Sequence, residues 1–311
     1  MRLWLTGGTG FVGSNIVHAG LERGAEVMTT VHRFHPPGEV AYRVDQVDMT
    51  DRAQVAASVA AFRPDVVVHC AILNDWSTMY GDRQFAWDSY VSATGHCADA
   101  ARESGAAFVV VSTDWVFDGT QGGADEATPP NPVNLYGVLK VASEVVALER
   151  GGAVARVSGV NGLHRARPES PRAQDPGFGY FVASIVDALR RGERFTVWES
   201  DDINMRATPS LASESAELIL RIGEQRLRGV FHCCGGEAMG RMELAGLACD
   251  VFELDSSLLD SGPPDPSAMP DAPIPYDTSI TAPRTSSLLD HEPSSVRDLL
   301  VRFRREYEAA A

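Results

Sequence analysis

Three residues in the middle of the chain have the side-chain types that polarise and protonate a carbonyl group: Thr113, Tyr136 and Lys140. Tyr136 and Lys140 lie four residues apart in NLYGVLKVASE, a spacing that places both side chains on one face of a helix, about one turn apart. An ammonium group beside a phenol favours the phenolate, so we expect a lowered pKa for Tyr136. Thr113 ends the apolar stretch AFVVVST and would hydrogen-bond the same substrate oxygen. The three residues predict a site that donates a proton to a carbonyl oxygen.

The elements that must position these residues alternate along the first half of the chain. Up to about Val154, amphipathic segments separate five strand-like stretches, which are RLWLTG, AEVMTTVH, DVVVHCA, AFVVVST and GAVARVS. Such alternation is typical of a parallel sheet with crossover helices. The strands are almost wholly apolar, as expected for strands covered on both faces. The sequence therefore predicts an α/β fold with a doubly wound parallel sheet.

The second half of the chain has a different character and predicts a smaller C-terminal lobe for the substrate. We expect a cofactor-binding domain over residues 1–158 and a lobe mainly over 159–311, with segments that return to the sheet. The lobe has a Pro/Arg-rich loop, a helix in YFVASIVDALRRG, a short strand in RFTVWE and helices in LASESAELILRIGEQ and MELAGLACDVFE. Residues 260–284 are rich in proline and predicted to be irregular. The last helix is amphipathic, and its apolar face carries Val296, Leu299, Leu300 and Phe303.

A glycine-rich turn follows the first strand directly. In LTGGTGFVGSN, glycines stand at positions 7, 10 and 13, and the stretch opens the first helix. Gly7 permits a tight turn, Gly10 allows the backbone to approach a pyrophosphate, and Gly13 allows close packing of the helix. A glycine-rich stretch is weak evidence by itself, but its place in the first strand–turn–helix unit of an alternating chain predicts dinucleotide binding.

The end of the second strand bears on the choice between NAD and NADP. A site that prefers NAD carries an acidic residue there, which binds the ribose 2′-hydroxyl. This chain has Val31, His32 and Arg33 instead, so a 2′-phosphate would meet a guanidinium group, and NADP(H) is favoured. The alternative is that Arg33 is a solvated loop charge.

The stretch VDMTD follows the third strand region. Its residues Asp48 and Met49 lie where an adenine edge would be held. An equally good interpretation is a turn that precedes the helix starting near Arg52.

Motifs along nearly the whole chain resemble those of the extended short-chain dehydrogenases/reductases. They are TGGTGFVGS, DMTD, VVVHCAIL, VVVSTDWVFDG and PPNPVNLYGVLKVASE, with weaker matches in RATPSLASESAELIL and GVFHCCGGEAMGRMELA. The chain is most similar to the branch that holds dTDP-4-dehydrorhamnose reductase and the regulatory β subunit of methionine adenosyltransferase. The resemblance implies that Thr113, Tyr136 and Lys140 are a catalytic triad, with Tyr136 as general acid and Lys140 on the nicotinamide ribose. It implies cofactor contacts from Gly7, Thr9, Gly10, Phe11, Val12, Cys70, Ala71 and Ile72, together with His32, Arg33, Asp48, Met49, Tyr136 and Lys140.

Three positions depart from the pattern of that family. Trp115 stands after STD where tyrosine is usual, and Tyr90 replaces an asparagine of the helix before the triad strand. The usual RTSWVYG is RVSGVNG at residues 156–162, which alters the floor of the substrate pocket. The first change is expected to keep the packing, whereas the second bears on any proton relay through the helix.

The favoured function is NADPH-dependent reduction of a keto group, most readily the 4-keto carbon of a nucleotide-linked deoxysugar. A nucleotide-sugar epimerase is an alternative. Related dehydratases read Thr-Asp-Glu where this chain reads Thr-Asp-Trp, and Trp115 cannot act as their base, which counts against dehydration. A second alternative is a non-catalytic NADP-binding regulatory subunit.

Composition excludes several other classes of protein. The net charge of −15 argues against nucleic acid as a partner, and no apolar run approaches the roughly 20 residues of a membrane span. The five cysteines form no CxxC pair, so we expect reduced thiols, no zinc site and no other metal. A globular cytoplasmic protein with a small-molecule substrate is predicted, with a homodimer as one option for its oligomeric state.

Overall fold

The computed structural model describes residues 1–31, 36, 40–73, 75–167 and 173–310 of the chain. Its strands, in chain order, are β1 Arg2–Thr6, β2 Glu26–Val31, β3 Arg43–Gln46, β4 Val66–His69, β5 Ala107–Thr113, β6 Ala153–Val157, β7 Val160–Asn161, β8 Phe195–Trp198, β9 Arg206–Ala207, β10 Ser210–Leu211, β11 Gly229–His232, β12 Met239–Gly240 and β13 Leu259–Gly262.

The α-helices are α1 Phe11–Glu22, α2 Arg52–Phe62, α3 Trp76–Gly81, α4 Arg83–Trp87, α5 Ala93–Ser104, α6 Leu135–Glu149, α7 Phe181–Arg190, α8 Ala212–Glu224, α9 Arg241–Phe252, α10 Pro283–Leu289 and α11 Val296–Ala310. A π-helical turn, Asp88–Ser92, joins α4 to α5, and 3₁₀ turns cover Asp114–Val116, Ser256–Leu258 and Pro266–Ala268. Among the helices described here, none is both long and apolar enough to span a membrane.

One parallel sheet forms the centre of the molecule. Its strand order is β11-β6-β5-β4-β1-β2-β3. The register pairs Leu3 with Val27 on one side of β1 and with Val66 on the other. The chain runs outward from β1 to β3 and then crosses over to β4, so the order reverses between β1 and β4. In sheets of this kind the ligand crevice lies at that reversal, outside the carboxyl ends of the strands.

Both faces of the sheet are covered, as the apolar strands predicted. Successive side chains of β1 point to opposite faces, so Leu3 and Leu5 join one core while Trp4 joins the other. The first core includes apolar residues of α1 and α8, and the second includes those of α2 and α5. The doubly wound α/β fold is therefore confirmed.

A separate apolar core holds the C-terminal lobe together. It contains side chains from α7, α9 and α11, including Phe181, Ile185, Leu244 and Phe303. Val296, Leu299 and Leu300 of α11 are buried in the same core, so the predicted apolar face of this helix is confirmed. The strands of this region form only two-stranded pairs, which are β10 with β7, β12 with β9, and β13 with β8.

Two later segments belong to the central sheet rather than to the lobe. Strand β11 pairs with β6 at the sheet edge, and α8 packs against α1 through residues such as Leu218 and Ile222. The stretch LASESAELILRIGEQ, which the sequence suggested as part of the lobe, thus covers one face of the sheet. The proline-rich segment is less irregular than expected at its start, because β13 includes Asp260 and pairs with β8.

Candidate active site

The glycine-rich turn lies at the end of β1, next to the point where strand order reverses. Gly7 has a φ of +71°, and a Cβ atom there would lie 2.8 Å from the backbone nitrogen of Ala71. A Cβ on Gly13 would lie 2.0 Å from the carbonyl oxygen of Gly7. Both positions therefore require glycine, one for its conformation and both for space. Gly13 allows α1 to approach the turn itself, a closer contact than the helix–sheet packing we expected.

The start of α1 has the features of a phosphate-binding helix end. Gly10 is the N-cap residue and has no side-chain oxygen to satisfy the first backbone N–H groups, and the first turn contains no acidic residue. Thr6 accepts hydrogen bonds from the backbone nitrogens of Cys70 and Ala71, both at 3.0 Å, which holds the loop after β4 beside the turn. A dinucleotide pyrophosphate fits this helix N-terminus, where the helix dipole is positive and no acidic side chain lies in the first turn.

The other expected cofactor residues follow the carboxyl ends of neighbouring strands. Thr9, Phe11 and Val12 lie in the turn and first turn of α1, and Cys70 to Ile72 follow β4. Ile72 is 44% exposed. His32 and Arg33 lie outside the described residues, so the preference for NADP stays a sequence prediction.

Asp48 and Met49 lie after β3, and both side chains make contacts within the fold. The Asp48 carboxylate accepts hydrogen bonds from the backbone nitrogen and hydroxyl of Thr50 at 2.9 and 2.7 Å. Met49 packs against the core beneath α2 and α5. Helix α2 begins at Arg52 after Asp51, which caps it. These contacts fit the turn interpretation, and contact with an adenine ring stays a prediction.

The structure brings Thr113, Tyr136 and Lys140 together. Thr113 is the last residue of β5, while the other two residues lie in the first turns of α6. Asn134 caps α6 by accepting a hydrogen bond from the backbone nitrogen of Gly137 at 2.9 Å. Lys140 Nζ lies 6.0 Å from the centre of the Tyr136 ring and donates to the carbonyl oxygen of Val111 at 2.9 Å. The cation thus lies beside the phenol in a fixed position, as the spacing predicted.

Burial dominates the electrostatics of this pair. Burial raises the pKa of Tyr136 well above its usual range, and the charges of Asp114 and Cys70 raise it further. The Thr113 side chain, within hydrogen-bonding reach, opposes that rise. The direction is opposite to the lowering that we expected from Lys140 together with an oxidised nicotinamide, because burial disfavours the charged phenolate. Burial likewise lowers the pKa of Lys140 to about 8. Tyr136 is therefore held as a neutral phenol, the form that donates a proton.

Aromatic rings surround Tyr136. Trp76 and Trp115 lie with their ring centres 6.3 and 6.1 Å from it, and both indoles are partly exposed. Tyr90 makes an edge contact at 6.2 Å and lies 5.6 Å from Lys140 Nζ. The sequence did not indicate Trp76, since no local pattern connects the start of α3 with α6.

Tyr90, which stands in place of the family's asparagine, has a structural role. It is buried in the π-helical turn, and its hydroxyl donates to the carbonyl oxygen of Leu73 at 2.8 Å. Burial raises its pKa well above the usual range. A phenol with this pKa and partner is a poor proton carrier, so a relay through this helix is not supported.

The lobe meets the phosphate turn through aromatic and polar contacts. The Phe11 ring stacks on Tyr180 at 4.3 Å, just before α7. Asn15 of α1 donates to the carbonyl oxygen of Leu163 at 2.9 Å and accepts from Arg165 at 3.1 Å. The cofactor turn and the lobe are thus joined directly at the edge of the crevice.

Comparison with known proteins fits this geometry. The family model described as the RmlD substrate binding domain matches residues 1–307. The chain belongs to the RmlD substrate binding domain family. The match extends over both the sheet and the lobe, as the motifs did, so the resemblance inferred from the motifs is confirmed.

Among curated relatives of this RmlD-family chain is the methionine adenosyltransferase 2 subunit beta of Xenopus tropicalis. The two are 29% identical over 265 residues, which is 83% of this chain and 74% of that protein. The similarity therefore includes a protein named as a subunit of an enzyme.

Several solved structures similar to this RmlD-family chain are named as dTDP-4-dehydrorhamnose reductases, and others are named as an epimerase or a dehydratase. A hypothetical dTDP-4-dehydrorhamnose reductase from Sulfolobus tokodaii has a TM-score of 0.75 and 26% identity, over 95% of this chain and 97% of its own. A dTDP-4-dehydrorhamnose reductase from Bacillus anthracis, in complex with NADP, has a TM-score of 0.75 and 19% identity, over 98% of this chain and 99% of its own. The second likeness shows a shared fold.

Proposed function

We propose that this RmlD-family protein is an NADPH-dependent ketoreductase that acts on the 4-keto carbon of a nucleotide-linked deoxysugar. The observation that carries the proposal is the meeting of Thr113, Tyr136 and Lys140 at the end of β5, two strands away from the glycine turn after β1, which is suited to a pyrophosphate. Similar proteins named as dTDP-4-dehydrorhamnose reductases, one of them in complex with NADP, support the substrate class and the cofactor.

Each residue of the set has a distinct task. When bound, the nicotinamide supplies hydride to the carbonyl carbon. Tyr136, neutral because of its burial, donates its proton to the carbonyl oxygen as charge develops there. Lys140, whose Nζ donates to the Val111 carbonyl, is proposed to stabilise the resulting phenolate and to hold the nicotinamide ribose. Thr113 orients the substrate oxygen. The contribution of the protein is thus orientation, a proton and charge stabilisation.

The aromatic surroundings favour a ring-shaped substrate with an apolar face. The partly exposed indoles of Trp76 and Trp115 lie beside the Tyr136 ring, so we expect a ketone at the Tyr136 hydroxyl to contact them. A Cβ on Gly177 would lie 3.1 Å from Trp115, so the lobe segment before α7 already closes against that indole. Aromatic faces pack well against the C–H face of a sugar ring, and a deoxy position enlarges that face. These aromatic side chains support a deoxysugar as the substrate rather than a fully hydroxylated sugar.

A regulatory role is the second candidate, and one observation favours it. The relative named as methionine adenosyltransferase 2 subunit beta is similar over 83% of this chain. In that case the fold would bind NADP(H) and present a surface to a larger partner. A nucleotide-sugar epimerase is a further alternative; dehydration is disfavoured, because Trp115 occupies the place where a proton-abstracting glutamate would stand in related dehydratases.

The experiment is an NADPH-oxidation assay against a panel of dTDP-linked 4-keto sugars and simpler ketones. Wild-type protein is expected to reduce a 4-keto sugar, and Tyr136→Phe is expected to lower turnover by about 10² or more with nearly unchanged NADPH affinity. Tyr276→Phe is the matched control, because Tyr276 is 46% exposed. Wild-type-like turnover in Tyr136→Phe would refute the mechanism. No oxidation with any ketone, together with co-purification of a larger partner, would favour the regulatory role.

The division of the chain and its cofactor preference belong to the same proposal. We assign residues 1–158 to cofactor binding and 159–311 mainly to the substrate lobe, with α8 and β11 returning to the sheet. Arg33 is proposed to bind the 2′-phosphate of NADPH, which an acidic residue would repel.

A further inference from the structure

A buried carboxyl group lies directly beside the proposed triad. Asp114 follows Thr113 at the end of β5 and is 4% exposed. Its Oδ1 accepts a hydrogen bond from the Thr113 hydroxyl at 3.1 Å. Its Oδ2 accepts from the hydroxyls of Ser158 at 2.8 Å and Thr278 at 2.6 Å. In the part of the chain that the structure describes, no cation pairs with this group. Burial raises its pKa to about 6, although the three hydroxyls oppose that rise.

The single hydrogen of the Thr113 hydroxyl limits what this residue can do. While Asp114 is ionised, the carboxylate holds that hydrogen. The Thr113 oxygen accepts from the backbone nitrogen of Trp115 at 3.2 Å and lies within reach of the Tyr136 phenol. A hydroxyl has one hydrogen and two lone pairs, so Thr113 is then fully used. It has no hydrogen left to donate to a ketone oxygen.

Protonation of Asp114 reverses this arrangement. Oδ2 already accepts from two hydroxyls, so an added proton belongs on Oδ1, where it donates to the Thr113 oxygen. The Thr113 hydrogen can then turn toward the substrate. We propose that Asp114 is a positioning residue that carries a proton during ketone reduction and thereby directs the Thr113 hydroxyl to the substrate oxygen. This inference rests on the proposed function. The proton transferred to the product is that of Tyr136, and the Asp114 proton stays in place.

Among the described groups in contact with Asp114, none has a pKa near 6, so the Asp114 carboxyl group is the one that titrates there. Burial, and to a lesser extent the negative charge of Asp114, raises the pKa of the Tyr136 phenol on α6 and of the Cys234 thiol after β11 above their usual range. The other contacts, from β5, from the end of β6 and from the segment before α10, are the hydroxyls of Thr113, Ser158 and Thr278. A change of rate near neutral pH is therefore assigned to the carboxyl group.

The test is the pH dependence of kcat/KM for ketone reduction. Wild-type kcat/KM is expected to fall about tenfold for each pH unit above the pKa of Asp114. Asp114→Asn should remove this fall between pH values of about 5 and 8, because its amide N–H donates to Thr113 permanently, as the protonated acid does. A wild-type profile that is flat in this range, or an Asp114→Asn profile with the same fall, would overturn the inference.

A second variant perturbs Asp114 from a distance. Thr278→Val removes a hydrogen bond to the ionised carboxylate, so it should move the fall upward by about one pH unit. Thr208→Val is the matched control, because its buried hydroxyl bonds to the carbonyl oxygen of Ile280 at 2.8 Å and has no contact with Asp114. If both variants shift the profile equally, the change reflects packing and not the carboxyl group.

An infrared titration separates this inference from the proposed function. The band of a buried protonated carboxyl should disappear as pH rises through about 6 and be absent in Asp114→Asn. Thr113→Val should raise the midpoint, because it removes a donor to the ionised form. If the panel yields no reduced ketone but the titration behaves as expected, the proposed function fails and the Asp114–Thr113 coupling stands. If Asp114 is ionised at a pH of about 5, the inference fails even in an active enzyme.

Discussion

Replacement of Gly13 by alanine tests whether the turn after β1 holds a dinucleotide. The added Cβ would lie 2.0 Å from the carbonyl oxygen and 2.7 Å from the carbonyl carbon of Gly7. Ordinary contact needs about 3.5 Å, so the turn and α1 must separate by about 1.5 Å. Backbone atoms, unlike side chains, cannot rotate away. The overpacking is expected to cost about 1–3 kcal/mol of the free energy of unfolding, and the displaced N–H groups should weaken NADPH binding at least tenfold, or about 1.4 kcal/mol.

Gly20→Ala is the matched control on the same helix. Its Cβ would lie 3.2 Å from a methyl group of Leu3 and 3.3 Å from one of Val27, and these side chains can adjust. Urea denaturation gives the free energy of unfolding, and NADPH fluorescence gives the dissociation constant. We expect Gly20→Ala to keep wild-type affinity for NADPH. If Gly13→Ala binds NADPH as tightly as Gly20→Ala does, the turn is not the phosphate site.

Three further outcomes are expected. Since burial lowers the pKa of Lys140 to about 8, reduction should slow further as pH rises above that value and the ammonium loses its proton. In an Asp114→Asn background, which lacks the fall assigned to Asp114, Lys140→Arg should abolish this decline in a pH–rate profile, and a decline that persists there would exclude Lys140. Arg156→Met leaves Glu144, its buried partner at 2.7 Å, without a counter-charge. Urea denaturation should therefore show that the free energy of unfolding falls by about 3–5 kcal/mol, and Arg156→Met/Glu144→Leu should recover most of this loss. If the double variant recovers none of it, the loss reflects packing. Arg33→Glu should weaken binding of NADPH far more than that of NADH in parallel titrations, and equal weakening would count against a 2′-phosphate contact.

The residues that carry the proposed chemistry could be predicted from local sequence patterns. A four-residue spacing places Tyr136 and Lys140 on one face of any helix, and a glycine turn between a strand and a helix has few structural alternatives. The apolar strands predicted a sheet covered on both sides, and the alternation predicted its parallel order. These features depend on neighbours within one or two elements, so they can be read without the tertiary structure.

Other properties depend on residues that are distant in the chain. The direction of the pKa shift expected for Tyr136 was wrong, because desolvation depends on distant residues that pack around its ring, such as Trp76 of α3 and Trp115. The place of α8 on the sheet likewise depends on its contact with α1.

The amino-acid sequence by itself determined the fold class, and it predicted the glycine turn as a phosphate site and Thr113, Tyr136 and Lys140 as a catalytic set, because each rests on short-range spacing or periodicity. Only the tertiary structure decided the protonation of that set and its surroundings. Asp114 is joined to Thr278 across 164 residues of chain, and Trp76 reaches Tyr136 from a different strand end. The folded arrangement sets burial and hydrogen-bond partners of this kind, and these determine which groups of the proposed site carry a proton.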